Sequence, residues 1–149
     1  MDAVTPGSPH ERIRIARERA GLEPMEVAER LGLPQAHYRD LEFHPDEAWM
    51  TISLEELGAL ARLLGVTSQF ILDGEPPVSP DDRVSFEMFA AAIRKAVDAA
   101  GGDVDAWGDL AGWDVAPILA DPKAIWDLNP DGLKDIAEAA GVDWRLVLP

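Results

Sequence analysis

Residues 21–42 read GLEPMEVAERLGLPQAHYRDLE, and their punctuation is that of two short helices joined by a tight turn. Pro24 opens the first of them, because its fixed φ and missing N–H suit a first helical turn. Gly32 closes that helix after Leu31, as a residue free to take the left-handed conformation does. Pro34 opens the next, which ends near Glu42. Working outward, Ser8-Pro9-His10-Glu11 has the spacing of a capping box with proline at the first helical position. The helix it begins runs to Ala20, and Gly21 ends it. Ser53 and Glu56 form a second capping box, opening a fourth helix that Gly65 stops. A fifth starts at Thr67 and ends near Leu72. Ile13, Ala16, Ala20, Leu22, Val27, Ala28, Leu31, Leu33, Tyr38, Leu41, Leu57, Leu60, Ala61, Leu64, Val66 and Phe70 fall at three- and four-residue spacings, so they share one core.

The chain has 149 residues, 47% of them hydrophobic, which fits one ordinary domain or two small ones and excludes a disordered chain. Cysteine is absent, so disulfides and thiolate metal sites are excluded, in keeping with a cytoplasmic protein. Residues 1–14, MDAVTPGSPHERIR, lack the apolar stretch of a secretory signal, and no apolar run is long enough to span a membrane. The net charge of −15 and pI near 4.4 exclude a general nucleic-acid binder.

Residues 73–85, DGEPPVSPDDRVS, hold three prolines and mark a linker. The chain is therefore expected to comprise a helical domain over 8–74, a linker over 75–84 and a second helical domain over 85–149. The second half repeats the punctuation of the first. A shift of 80 sets Ile13, Arg14, Ala16, Ala20, Gly21, Gly32 and Ala36 on Ile93, Arg94, Ala96, Ala100, Gly101, Gly112 and Ala116. A shift of 76 sets Leu57, Ala61, Gly65, Val66 and Leu72 on Leu133, Ala137, Gly141, Val142 and Leu148. One four-residue loss between the third and fourth helices reconciles the two registers, and loops tolerate such losses. The expected fold class is all-α, a tandem duplication of a five-helix unit.

On the residues RERAGLEPMEVAERLGLPQAHYRDLE, SLEELGALARLLGV and SQFILDG, the segment 12–72 resembles the Cro/C1-type (XRE) helix-turn-helix family. The resemblance implies a lambda-repressor-like five-helix domain followed by a divergent copy. It also implies sequence-specific binding of double-stranded DNA and a role in transcription regulation. In that family the third helix enters the major groove, which assigns DNA contacts to Gln35, Ala36, His37 and Arg39. Glutamine can pair with adenine, and arginine with guanine or phosphate. Arg17 and Glu42 match a pair that in many members forms an architectural salt bridge between the first helix and the end of the third.

Departures from the family pattern weaken the attraction for phosphate. Glu23-Pro24 stands where Thr-Gln is usual, so an amide that grips a phosphate is replaced by a ring with neither side-chain nor backbone donor. The following loop, FHPDEAWMTI, is long and acidic where the family is basic. Residues 10–74 carry seven basic and twelve acidic side chains, a net of −5. Arg12, Arg14 and Arg19 either face DNA or form a solvated surface paired with Glu11 and Glu18. In the second half, DVAPILAD at 114–121 has neither basic nor amide side chains, and Val97 replaces the counterpart of Arg17. DNA binding is therefore expected to be weak, or assisted by a partner or by a homodimer.

A second reading keeps the fold as an acidic protein-interaction module, antitoxin-like, a co-regulator or a DNA mimic, with a basic protein as partner. Trp49, Trp126 and Trp144 are candidate exposed anchors for it, since aromatics are enriched at interface hot spots. Trp107 and Trp113 align with Val27 and Leu33 and are expected in the core. His37, Asp40 and His44 have helical spacing but too little else to define a metal site, and no cofactor is implied. No phosphate-binding glycine loop, HExxH or GxSxG is present, so the chain is not expected to be an enzyme.

Overall fold

A computed structural model describes residues 7–149, and these are all-α, with no strand among them. They divide into two compact units, the first ending at Pro77 and the second spanning Val78–Leu148. No helix among the described residues is long and apolar enough to cross a membrane.

The first unit contains α1 (Pro9–Arg19), α2 (Pro24–Leu31), α3 (Gln35–Phe43), the single-turn α4 (Glu47–Met50), α5 (Leu54–Leu64) and α6 (Ser68–Asp73). Prolines sit in the first turns of α1 and α2, and Gly32 and Gly65 cap α2 and α5 with φ of 68° and 72°. At the start of α5, the Glu56 N–H donates to Ser53 Oγ (3.1 Å) and the Ser53 N–H donates to Glu56 Oε1 (2.9 Å). The capping box expected at Ser8 and Glu11 does not form. The Ser8 hydroxyl donates to the Glu11 carboxylate (3.0 Å) instead of accepting from the helix N–H groups. The segment after Glu42 is not wholly a loop, since acidic Asp46 and Glu47 stand at the positive end of the short α4.

Helix α1 packs on α3 and α6, α2 on α3 and α5, and α5 on α6. Ile13, Val27, Leu41, Leu54, Leu57 and Ile71 are wholly buried among them. Burial of each such side chain contributes about 1.5–3 kcal/mol. Ala20 lies beyond the last buried turn of α1 and is exposed, whereas Ala48, Ile52 and Ile71 enter the core unforeseen by periodicity.

Arg12 is part of this core, not of a surface. It is 4% exposed, and its Nε and Nη2 donate to the carbonyls of Ile71 and Leu72, each at 2.9 Å. Those carbonyls close α6, where a helix has no internal donor left. Burial lowers the pKa of the guanidinium, while Asp73 and Glu11 act in the opposite sense.

The second unit contains α7 (Phe86–Ala99), α8 (Val104–Ala111), α9 (Ala116–Ala120), a 3-10 segment (Pro122–Asp127), α10 (Pro130–Ala140) and a 3-10 turn (Trp144–Leu146). Its bounds repeat those of the first unit. Moving α2 by 80 residues gives the limits of α8, and moving α5 by 76 gives those of α10. The turns repeat atom for atom: Leu33 N–H to Ala28 O (2.9 Å) becomes Trp113 N–H to Gly108 O (3.0 Å), and Val66 N–H to Ala61 O (3.0 Å) becomes Val142 N–H to Ala137 O (2.9 Å). A Cβ on Gly108 would lie 2.6 Å from the Trp113 carbonyl oxygen. Helix α3 has no equal there: only the five-residue α9 and the 3-10 segment occupy its place, with Pro117 in the first turn of α9 and Pro122 standing where the helix would have to continue.

The hydrogen bonds of Arg12 lead to a direct expectation. Arg12→Met should destabilise the protein by about 1.5–3 kcal/mol in urea unfolding, the range for hydrogen bonds from a charged group. Arg14→Met, on the exposed face of the same helix, should stay within about 0.5 kcal/mol. Equal effects of the two would contradict the assignment of Arg12 to the core.

Candidate nucleic-acid interface

Helix α3 is oriented by three inward side chains. Tyr38 and Leu41 are 1% and 0% exposed, and Glu42 is 6% exposed. Glu42 meets Arg17 of α1 in a two-pronged pair, Nε to Oε2 at 2.7 Å and Nη2 to Oε1 at 3.0 Å. The remaining Arg17 nitrogen, Nη1, donates to the Leu22 carbonyl (2.9 Å) in the turn before α2. A single guanidinium thus joins α1, the α1–α2 turn and the last turn of α3. The pair is little exposed, 12% and 7% at the two side chains, so solvent screens it weakly. The bond to Glu42 raises the pKa of Arg17 against the lowering effect of burial.

With those residues turned in, Gln35, Ala36 and Arg39 are exposed on the outer face of α3, at its N-terminal half. Gln35 and Arg39 line a groove of about 610 Å³ between α1, α2 and α3. Arg14 and Arg17 border it from α1, and Glu23, Pro24, Met25 and Glu26 from α2. Arg17 is spent on Glu42. Glu26 accepts the Glu23 N–H (3.2 Å) and lies 4.0 Å from Arg30. Among the described residues neither Arg14 nor Arg39 has a carboxylate within ion-pair distance, so the groove carries two uncommitted cations and the exposed carboxylate of Glu23.

His37 departs from this set. Its Nε2 lies 3.0 Å from Thr51 Oγ1, and that hydroxyl donates to the Glu47 carbonyl (2.9 Å). The imidazole is thereby engaged with the end of α4 and does not line the groove. His44 lies 3.7 Å from Asp40, and no cluster of three metal-ligating side chains occurs among the described residues.

Sequence reasoning missed two apolar side chains at the groove, Met25 (55% exposed) and Phe43 (67% exposed). Phe43 was legible in principle, because it follows Arg39 by four residues and Gln35 by eight and so shares their face. The proposed aromatic anchors differ among themselves. Trp49 is half-buried. Trp126 is half-buried and meets Phe86 edge-on, with centroids 4.8 Å apart. Trp144 is 6% exposed, with the Arg145 guanidinium 4.6 Å from its ring centroid, so it belongs to the core and cannot present a face to a partner. Trp107 is buried, while Trp113 is half-buried and donates its Nε1–H to Asp135 (3.0 Å).

Searches of protein-family models, curated proteins and solved structures find no match to this chain.

Two stability predictions arise from the anchoring of α3. Glu42→Ala strands the Arg17 charge and should cost about 3–5 kcal/mol, a loss that persists in 1 M NaCl because the pair is shielded from solvent. A loss that vanishes in salt would place the pair in solvent. The second concerns Tyr38, the only tyrosine in the chain. Its hydroxyl is buried with no hydrogen-bond partner. Burial first, then the neighbouring Glu42, raise its pKa above the ordinary phenol value. The unfolded phenol ionises near pH 10, below the folded one, so this contribution to stability is complete below about pH 10. Above that it falls by up to about 1.4 kcal/mol per pH unit. Absorbance at 295 nm should show no tyrosinate until the protein unfolds, and Tyr38→Phe should lose stability less steeply above pH 10. A reversible titration of the folded protein near pH 10 would contradict this placement.

Proposed function

We propose that the chain is a helix-turn-helix regulator of the Cro/C1 type, with a lambda-repressor-like first unit and a second unit that is a degenerate tandem copy. The first unit binds a specific double-stranded DNA site through Gln35, Ala36 and Arg39. The observation that carries this reading is the clip of Arg17 on Glu42, which seats α3 with those three side chains facing outward beside Arg14. That is the arrangement a helix entering the major groove requires. The matching limits of α2 and α8, and of α5 and α10, together with the repeated turn hydrogen bonds, support the duplication. The second unit does not read DNA, because α9 has neither a basic nor an amide side chain.

Phosphate contact is sparse in this scheme. Pro24 and Glu23 border the groove where a donor would be needed, and Arg14 and Arg39 are its two uncommitted cations. Binding is therefore weak for one subunit and relies on a homodimer or a partner. The excess of acidic side chains over residues 75–149 favours a second reading, in which the fold serves as an acidic interaction module whose second half docks to a basic protein.

Selection from a random duplex library, followed by fluorescence-anisotropy titration, tests the first reading. Arg39→Ala should lose about 1–3 kcal/mol at the selected site and relax the preference at one position. Replacing Glu23-Pro24 by Thr-Gln should tighten binding to all duplexes and steepen the salt dependence by about one unit. Selection of no sequence, with salt-sensitive capture of a basic protein by the full chain, would replace DNA by the second reading.

A further inference from the structure

The second unit has a groove of its own, about 560 Å³, unrelated to the face that α3 presents in the first. Its floor is apolar: Phe86 and Trp126 meet edge-on, with Val147 and Leu148 also lining it. Met88, at its edge, is 59% exposed. The groove lies within the size range of small-molecule sites and shares their usual composition, an aromatic and aliphatic lining with few polar groups.

The polar groups are unusual for this protein. The second unit is strongly acidic, yet two of its few cations, Arg83 and Lys123, border this groove, with Glu87 as the single carboxylate. The three side chains sum to a charge of +1. The Arg83 guanidinium donates to the Leu148 carbonyl, which fixes it at the groove wall, and most of its five donors remain. Among the described residues neither Arg83 nor Lys123 has a carboxylate within ion-pair distance. The wall is also held in place by the Val84 N–H, which donates to the Leu146 carbonyl (2.9 Å), and by Ser85, whose hydroxyl accepts the Met88 N–H (3.1 Å). An apolar body resting on the Phe86–Trp126 pair would bring an attached carboxylate toward the two cations. A neutral or cationic head would leave their charge unanswered.

We propose that this groove binds a small amphipathic monocarboxylate, with its aryl or acyl body on Phe86 and Trp126 and its carboxylate facing Arg83 and Lys123. The site makes the second unit a ligand-binding module, and it stands whether or not the first unit reads DNA.

The test uses the full chain and two probe acids, phenylacetate and octanoate, each beside its neutral amide. Binding is followed through the Trp indole N–H resonances, with that of Trp126 assigned by Trp126→Phe. The acids should shift the Trp126 resonance in a saturable way, the amides should bind at least tenfold more weakly, and Lys123→Gln should weaken the acids about fivefold or more. Lys123 is exposed, so this variant keeps the fold, and unchanged spectra of the remaining tryptophans verify that. Equal binding of acid and amide, shifts confined to tryptophans other than Trp126, an unaltered affinity in Lys123→Gln, or no saturable shift at tens of millimolar acid would each overturn the assignment.

Discussion

One guanidinium decides where the outward face of the first unit lies. Arg17 reaches from α1 to Glu42 at the end of α3 and to the Leu22 carbonyl in the turn before α2. Without it, α3 would be held by Tyr38 and Leu41 alone, and burial is indifferent to small rotations of a helix. A two-pronged charged pair is not, because both nitrogens and both oxygens must meet in one plane. The pair therefore fixes the rotation of α3, and with it the side chains that point away from the core. In the second unit Val97 occupies the place of Arg17, and the helix at the place of α3 has only five residues. The two halves share limits and turns but not this interaction, and only the first presents a regular outward helix.

The electrostatics of the first unit follow from how its arginines are used. Arg12 is consumed in closing α6 and Arg17 in holding α3. Arg14 and Arg39 remain at the groove, opposed by Glu23. On the proposed reading, a duplex approaching this surface meets little long-range attraction. Such a surface gains from base-edge contacts more than from phosphates, which lowers affinity for random DNA along with affinity for the site.

Much of the fold could be read from sequence because helix ends are chemically marked. Pro24, Gly32, Ser53, Glu56 and Gly65 lie where the structure starts and stops helices, and glycine at a left-handed position has few substitutes. The recurrence of helix limits at shifts of 80 and 76 was visible for the same reason, since the marks recur in order. The Arg17–Glu42 contact was suggested only by family resemblance, as a separation of twenty-five residues has no local signature. Arg12 was misread because a buried arginine is rare, and periodicity alone cannot tell a carbonyl-capping guanidinium from a solvated one. The His37 contact with Thr51 had no mark in the sequence, because the two lie fourteen residues apart with α4 between them. Trp144 was a candidate exposed anchor from its position near a helix start, yet in the 3-10 turn following Asp143 it is buried.

The salt dependence of DNA binding tests the central claim most directly, because it counts the phosphates a protein neutralises. On a duplex chosen by selection, the slope of log K against log[NaCl] should be shallow, about −1 per bound subunit, because Arg14 is the free cation left for phosphate once Arg39 reads a base, with sequence preference retained at moderate salt. A slope several times steeper, or the absence of any preferred duplex, would contradict a groove-reading surface held by two free cations.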